Sequence, residues 1–180
     1  MTGRFRRLLS IGVTGALAAA MLSRPMHGAE EGTIKAFAAW QSNGQGIQTG
    51  PSEATFIGTM SGTVYVETEK GPVDSGQLVC PAMLLVNTQD GSQSGEGRCS
   101  ITAKDGARIF AQLSCTGVHL VGCDGEFTLI GGTDRFDGIT GGGHFTVRSS
   151  LHQFVGLSAN TVVEAVSGII FWRELHYRIP

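Results

Sequence analysis

The chain has 180 residues, with 13 Lys+Arg against 15 Asp+Glu, enough for one domain and a leader. Arg4, Arg6, Arg7 and Arg24 all precede residue 30 and no acid does, so residues 30–180 carry nine bases against fifteen acids, a net charge of −6. That balance argues against a nucleic-acid partner, which calls for a basic patch, and against a polybasic membrane surface.

In chain order, the first element is a leader. Arg4, Arg6 and Arg7 form a basic start, and residues 8–22 follow without a charge until Arg24-Pro25. The run falls short of the roughly 20 apolar residues of a spanning helix. It reads as a secretory signal over residues 1–29, with candidate cleavage after Ala18-Ala19-Ala20 or after Ala29. An uncleaved anchor is the alternative. The expected destination is periplasmic or secreted, and residues 30–180 form one domain.

From there the texture is constant: short alternating apolar runs punctuated by glycine. Residues 34–40 make a first strand, and Asn43-Gly44 predicts a turn after it. Strands follow over 54–67 and 77–86, then the hairpin dipeptide Asp90-Gly91, a strand over 97–103, and a turn at Asp105-Gly106. Over 107–115 the alternation is clear, with Ala107, Ile109, Ala111, Leu113 and Cys115 on one face. Asp124-Gly125 predicts a further turn before a strand over 126–130. Residues 144–150 and the end of the chain, where Leu175, Tyr177 and Ile179 alternate with polar residues, supply the last strands. Whether the run after Ser158 completes the sheet or lies across it stays open at this point.

About eight antiparallel strands without a covering helix must close or stack, because open edges template aggregation. The expectation is an all-β fold, an eight-stranded antiparallel β-barrel, with a β-sandwich as the alternative. Eight strands leave an interior that side chains fill or that holds one small ligand. The strands show no aromatic girdle of the outer-membrane type, so the mature chain is not expected to insert into a membrane.

Cys80, Cys99, Cys115 and Cys123 are an even set in an exported chain and read as two disulfides. Three connectivities are possible. Spacing favours Cys80–Cys99, which flank the Asp90-Gly91 turn almost symmetrically, and Cys115–Cys123, eight apart. Zinc is disfavoured because no C-x-x-C spacing is present.

The most distinctive stretch is Gly131-Gly132-Thr133-Asp134-Arg135-Phe136-Asp137-Gly138-Ile139-Thr140-Gly141-Gly142-Gly143. Its glycines permit positive φ and close backbone approach, and Phe136 and Ile139 are apolar plugs between them. It has no Gly-Lys-Ser/Thr ending and no helix after it, so it is not a phosphate loop. The positions Gly131, Gly132, Thr133, Phe136, Gly138 and Gly141 resemble the G-G-T-G-x-F-x-G-x-x-G signature of allene oxide cyclase barrel and dirigent-like proteins, which are calycin-type barrels. Gly95-Glu96-Gly97-Arg98-Cys99 and Gly122-Cys123-Asp124-Gly125-Glu126-Phe127 are similar to the exported bacterial branch of that fold. Asp134 stands where the family carries glycine. The resemblance implies an eight-stranded barrel with an apolar lumen, often trimeric. Plant relatives cyclise an oxylipin epoxide or guide the coupling of phenolic radicals.

No catalytic set maps onto this chain. His119, His144, His152 and His176 show no metal-ligand spacing, and His144 and His176 fall on polar strand faces. The acids Asp90, Asp105, Asp124 and Asp137 read as turn residues, and Glu126 as an outward strand residue. No metal or cofactor is expected. The leading reading is a non-enzymatic exported barrel that binds a small apolar ligand or a partner. The alternatives are a cyclase or isomerase acting by confinement, and an accessory subunit docking through Phe171-Trp172.

Overall fold

The computed structural model describes residues 29–158 and 161–180. The leader expected over 1–29 lies, apart from Ala29, outside the described residues. Eight antiparallel strands follow in order: β1 Glu30–Gly50, β2 Glu53–Thr68, β3 Gly71–Asn87, β4 Ser92–Thr102, β5 Arg108–Val118, β6 Gly122–Gly132, β7 Thr140–Ser158 and β8 Thr161–Ile179. Each pairs with its sequence neighbours, and β8 pairs with β1, so the sheet closes into a barrel. The run after Ser158 is therefore the closing strand. Closure removes the open edges that eight strands would otherwise expose.

The register fixes the width. From Gly46, the paired positions run through Phe56, Leu84, Gly95, Cys115, Gly125, Phe145 and Trp172, and return to β1 at Ala36, ten residues away. With standard strand spacings, that stagger tilts eight strands by roughly 40° and makes a barrel roughly 16 Å across. The ring of paired residues points inward. Across the middle of the lumen Phe127 packs edge-on against Trp172, with centroids 5.2 Å apart, and against Phe145 at 6.5 Å. Leu78, Cys80 and Ile170 are fully buried around them. Two disulfides, Cys80–Cys99 and Cys115–Cys123, join neighbouring strands on the inner face.

Two expected turns lie in continuous strand. Asn43 and Gly44 are mid-strand in β1, paired with Thr59 and Gly58 on one side and with Ala165 and Glu164 on the other. Bonded along both edges, that segment has no freedom to reverse, and the chain turns instead at Pro51 and Ser52. The Gly44 and Gly58 backbones lie so close that a Cβ on Gly58 would sit 2.7 Å from the Asn43 carbonyl oxygen. Asp124-Gly125 is likewise inside β6. Asp124 faces outward and accepts hydrogen bonds from Thr146 and Arg148 of β7, so its role is cross-strand pairing. Asp90 and Asp105 do sit in turns, each accepting a backbone N–H two residues on.

The Gly-rich stretch connects β6 to β7 across the lower mouth of the barrel, the end where both described termini lie. Thr133 clamps it to β5: its N–H donates to the Arg108 carbonyl, and its hydroxyl accepts from the Arg108 N–H. One turn of 3-10 helix follows, Asp134–Phe136. Asp134 holds φ at +56°, the left-handed conformation that the resemblance assigns to glycine, and its carboxylate accepts from the Thr133 hydroxyl. Aspartate tolerates that region better than most residues, for which it costs about 1–2 kcal/mol. Asp134→Val, which adds β-branching there, is expected to lower unfolding free energy by about 1–2 kcal/mol, while Asp134→Gly stays within about 0.5 kcal/mol of the parent. Urea titration of the three proteins checks this, and a Val variant as stable as the parent contradicts it.

Candidate functional site

The Phe127–Phe145–Trp172 layer divides the lumen into two chambers. The lower one opens beside the 133–139 turn and holds about 550 Å³. Its walls are Ile34, Val64, Val66, Ile101, Ile109 and Leu129, with Phe136 and Ile139 from the turn beneath them. Of the six turn-motif residues, only Phe136 lines the chamber. Gly131, Gly138 and Gly141 supply positive φ, and Gly132 lies where a Cβ would strike the Phe136 and Arg108 carbonyls. The charges stay at the rim, and each pairs there. Arg135 meets Asp105 at 2.8 Å and lies over the Phe136 ring, Lys104 meets Asp74 at 3.2 Å, and the Tyr177 hydroxyl donates to Glu30.

The upper chamber is smaller, about 160 Å³, and differs in kind. Trp40, Phe56, Met60, Leu84, Leu113 and Phe145 supply apolar walls, but a carboxylate is set among them. Glu164 of β8 is only 6% exposed. Its Oε2 lies 3.6 Å from Nε2 of His119 and 3.4 Å from Nε2 of His152. Each residue is brought there by a local device. Glu164 shares its inward parity with Val166, Gly168, Ile170 and Trp172. His119 sits on the tight β5–β6 turn, where Leu120 takes φ +64° and the His119 N–H donates to the Gly91 carbonyl. The Cys115–Cys123 disulfide closes that hairpin. His152 depends on a break in register. Phe145, Val147 and Ser149 point inward at odd positions, and a bulge between Ser149 and Leu151 switches the parity, pairing His152 with inward Val166.

Polar neighbours fix the orientation of the His119 ring. Gln93 Nε2 donates to the Gly122 carbonyl, which turns Gln93 Oε1 toward His119 Nδ1 at 3.3 Å. Both ring nitrogens of His119 thus face polar groups, an amide oxygen and a carboxylate. The ring also packs on Phe56, with centroids 4.6 Å apart. Burial pushes the Glu164 carboxyl up, but the hydrogen bond and charge of His119, with the charge of His152, outweigh it and hold the group below its ordinary value.

His144 and His176 are exposed on the outer face and take no part, with His176 bonded to Thr33. Glu126 faces outward as well. Sequence reasoning passed over Glu164, although a signal was present: it is the only Asp, Glu, Lys or Arg among residues 149–172. Among the described residues no His/Cys/Asp/Glu group has the arrangement to hold a metal ion.

No family model matches this chain, and no curated protein matches it. Among solved structures it is similar to the pterocarpan synthase dirigent protein, with a TM-score of 0.34 and 11% identity over 88% of this chain and 97% of that one. A superposition that loose bears on neither ligand nor reaction.

The Glu164 cluster has a pH signature. A carboxyl held below its unfolded value stabilises the fold above that value and loses the contribution as pH falls through the folded one. Glu164→Gln is expected to cost about 1–3 kcal/mol at pH 7. The gap to the parent should close below the ordinary glutamate value of 4.5. Urea unfolding of both proteins from pH 7 to pH 3 measures it, and a gap that stays constant with pH contradicts the assignment.

Proposed function

We propose that this protein binds a small, largely apolar molecule in the lower chamber, without transforming it, in an oxidising compartment outside the cytoplasm. The lower chamber carries the reading. Its volume, about 550 Å³, falls within the range of small-molecule pockets. Its interior presents apolar side chains, and its ionisable groups are held at the rim in pairs with one another. A pocket of this kind recognises a bound molecule chiefly by shape and apolar surface. Two disulfides inside the barrel support the compartment, since thiols so placed persist as disulfides where the surroundings are oxidising. The Gly131–Gly141 turn supports a place among the dirigent-like barrels, and its Phe136 supplies part of the chamber floor. A homo-oligomer is the assembly that this relationship implies.

N-phenyl-1-naphthylamine is a suitable neutral probe, because its two ring systems exceed the upper chamber. It is expected to bind one molecule per chain with a rise in fluorescence. Ile101→Trp projects an indole into the lower chamber and should weaken that binding by about tenfold or more, equivalent to about 1.4 kcal/mol. A parent protein that leaves the probe dark, or an Ile101→Trp variant that binds it equally well, would sink the proposal.

A further inference from the structure

Resting on the reading of the lower chamber as a binding site, we infer that its ligand is uncharged and carries two polar groups in a fixed order. A ketone or ether oxygen lies at the inner end, and a hydroxyl lies at the mouth. Two polar atoms of residues that line the chamber are buried and left unpaired by the fold. One is a donor, the indole N–H of Trp172, and the other is an acceptor, Oδ1 of Asp74.

Trp172 belongs to the aromatic layer and so marks the inner end. It is buried and packs edge-on against Phe127. Its partners in register are Ala36 and Phe145, and the chamber walls of Val64, Ile109 and Leu129 hold no side-chain acceptor either. A buried indole N–H usually has a partner, and one without a partner is destabilising. Phenylalanine would fill the layer there without a donor to satisfy. Asp74 sits at the mouth, where its Oδ2 meets the Lys104 ammonium at 3.2 Å. Its Oδ1 stays without a donor because the donors around the mouth are engaged elsewhere. Arg135 meets Asp105, the Tyr177 hydroxyl donates to Glu30, and the Ser75 hydroxyl donates to the Val73 carbonyl.

Neutrality follows from the same walls. An ionised acceptor at the inner end would exchange water for one neutral N–H and apolar side chains, which is strongly unfavourable. A ketone or ether oxygen gives up less water and is satisfied by one donor. At the mouth an ionised carboxylate only accepts, so what meets Oδ1 must donate. The charge of Asp74 is already matched by Lys104, so a neutral hydroxyl is the donor that fits, and its bond to a charged oxygen is a strong one.

The test uses the intact protein with its disulfides formed, and displacement of N-phenyl-1-naphthylamine by molecules built on one ring frame: 2-ethylnaphthalene, 2-acetylnaphthalene, 6-acetyl-2-naphthol and 2-naphthoate. Trp172→Phe keeps a ring and removes the donor. It should weaken both ketones about fivefold and leave 2-ethylnaphthalene within about twofold. Asp74→Ala should weaken 6-acetyl-2-naphthol about tenfold more than it weakens 2-acetylnaphthalene. Charged 2-naphthoate should bind more weakly than either ketone. The parent protein gives a reading that needs no stable variant at residue 172. It has two tryptophans, and Trp40 lines the other chamber, so Trp40→Phe assigns the two indole N–H signals in a nuclear magnetic resonance spectrum. Bound 2-acetylnaphthalene should move the Trp172 signal further downfield than 2-ethylnaphthalene does. Equal effects of ketone and hydrocarbon on that signal, equal losses in Trp172→Phe, a hydroxyl insensitive to Asp74→Ala, or naphthoate bound as tightly as the ketones each overturn the inference while the chamber remains a binding site. If the probe binds nowhere in the protein, the lower-chamber reading falls and this inference falls with it.

Discussion

The ten-residue stagger of the closed sheet is the constraint on which the rest depends. It sets the tilt, and the tilt sets the width. At that width one layer of three aromatic side chains, Phe127, Phe145 and Trp172, fills the middle of the lumen. The ends are filled less. A tighter stagger would leave no room beyond the core, and a looser one would leave the aromatic layer unable to meet across the centre. The two chambers are thus consequences of where large residues fall on the inner rows.

The two ends then diverge through their connections. At the lower end, short turns and the clamped 133–139 segment place charged side chains around an apolar mouth, where water and opposite charges both reach them. At the upper end β7 outruns β6: it continues ten residues past Arg148, which pairs with the first residue of β6. The inner face of that extension has less barrel opposite it. There the inward rows hold Gly44, Gly58, Ser42 and Ser149, small residues that make room for Glu164 and the imidazoles. Polar groups at one mouth are hydrated and paired, and at the other they are enclosed.

Much of the barrel was legible because alternation reports which face is buried. Ala107, Ile109, Ala111, Leu113 and Cys115 form an inner row of the barrel. Asp90-Gly91 and Asp105-Gly106 are turns because glycine takes positive φ beside an aspartate that bonds forward. The same dipeptide logic fails at Asn43-Gly44 and Asp124-Gly125, where pairing on both flanks overrides local preference. In β3 alternation is blurred because Val79, Met83 and Leu85 are apolar yet outward and exposed. The upper site was hidden for a sharper reason. Its three ionisable residues come from the β5–β6 turn and from β7 and β8, and a bulge reverses the parity that would have turned His152 outward. A bulge leaves no reliable mark in a single sequence, whereas the isolated charge at Glu164 did leave one.

That isolated charge also bears on why the cluster is there. Burying a carboxylate is unfavourable, and its attraction to nearby imidazoles offsets the desolvation only when the geometry is good. Apolar residues of similar volume commonly serve a fold as well or better in such positions. Here the sheet is closed by hydrogen bonds all round, tied by two disulfides and filled at its centre by aromatic packing, none of which uses the Glu164 side chain. The barrel has no architectural need of an acid in its upper chamber. A buried carboxylate set between two imidazoles is the kind of group that chemistry, more than packing, accounts for.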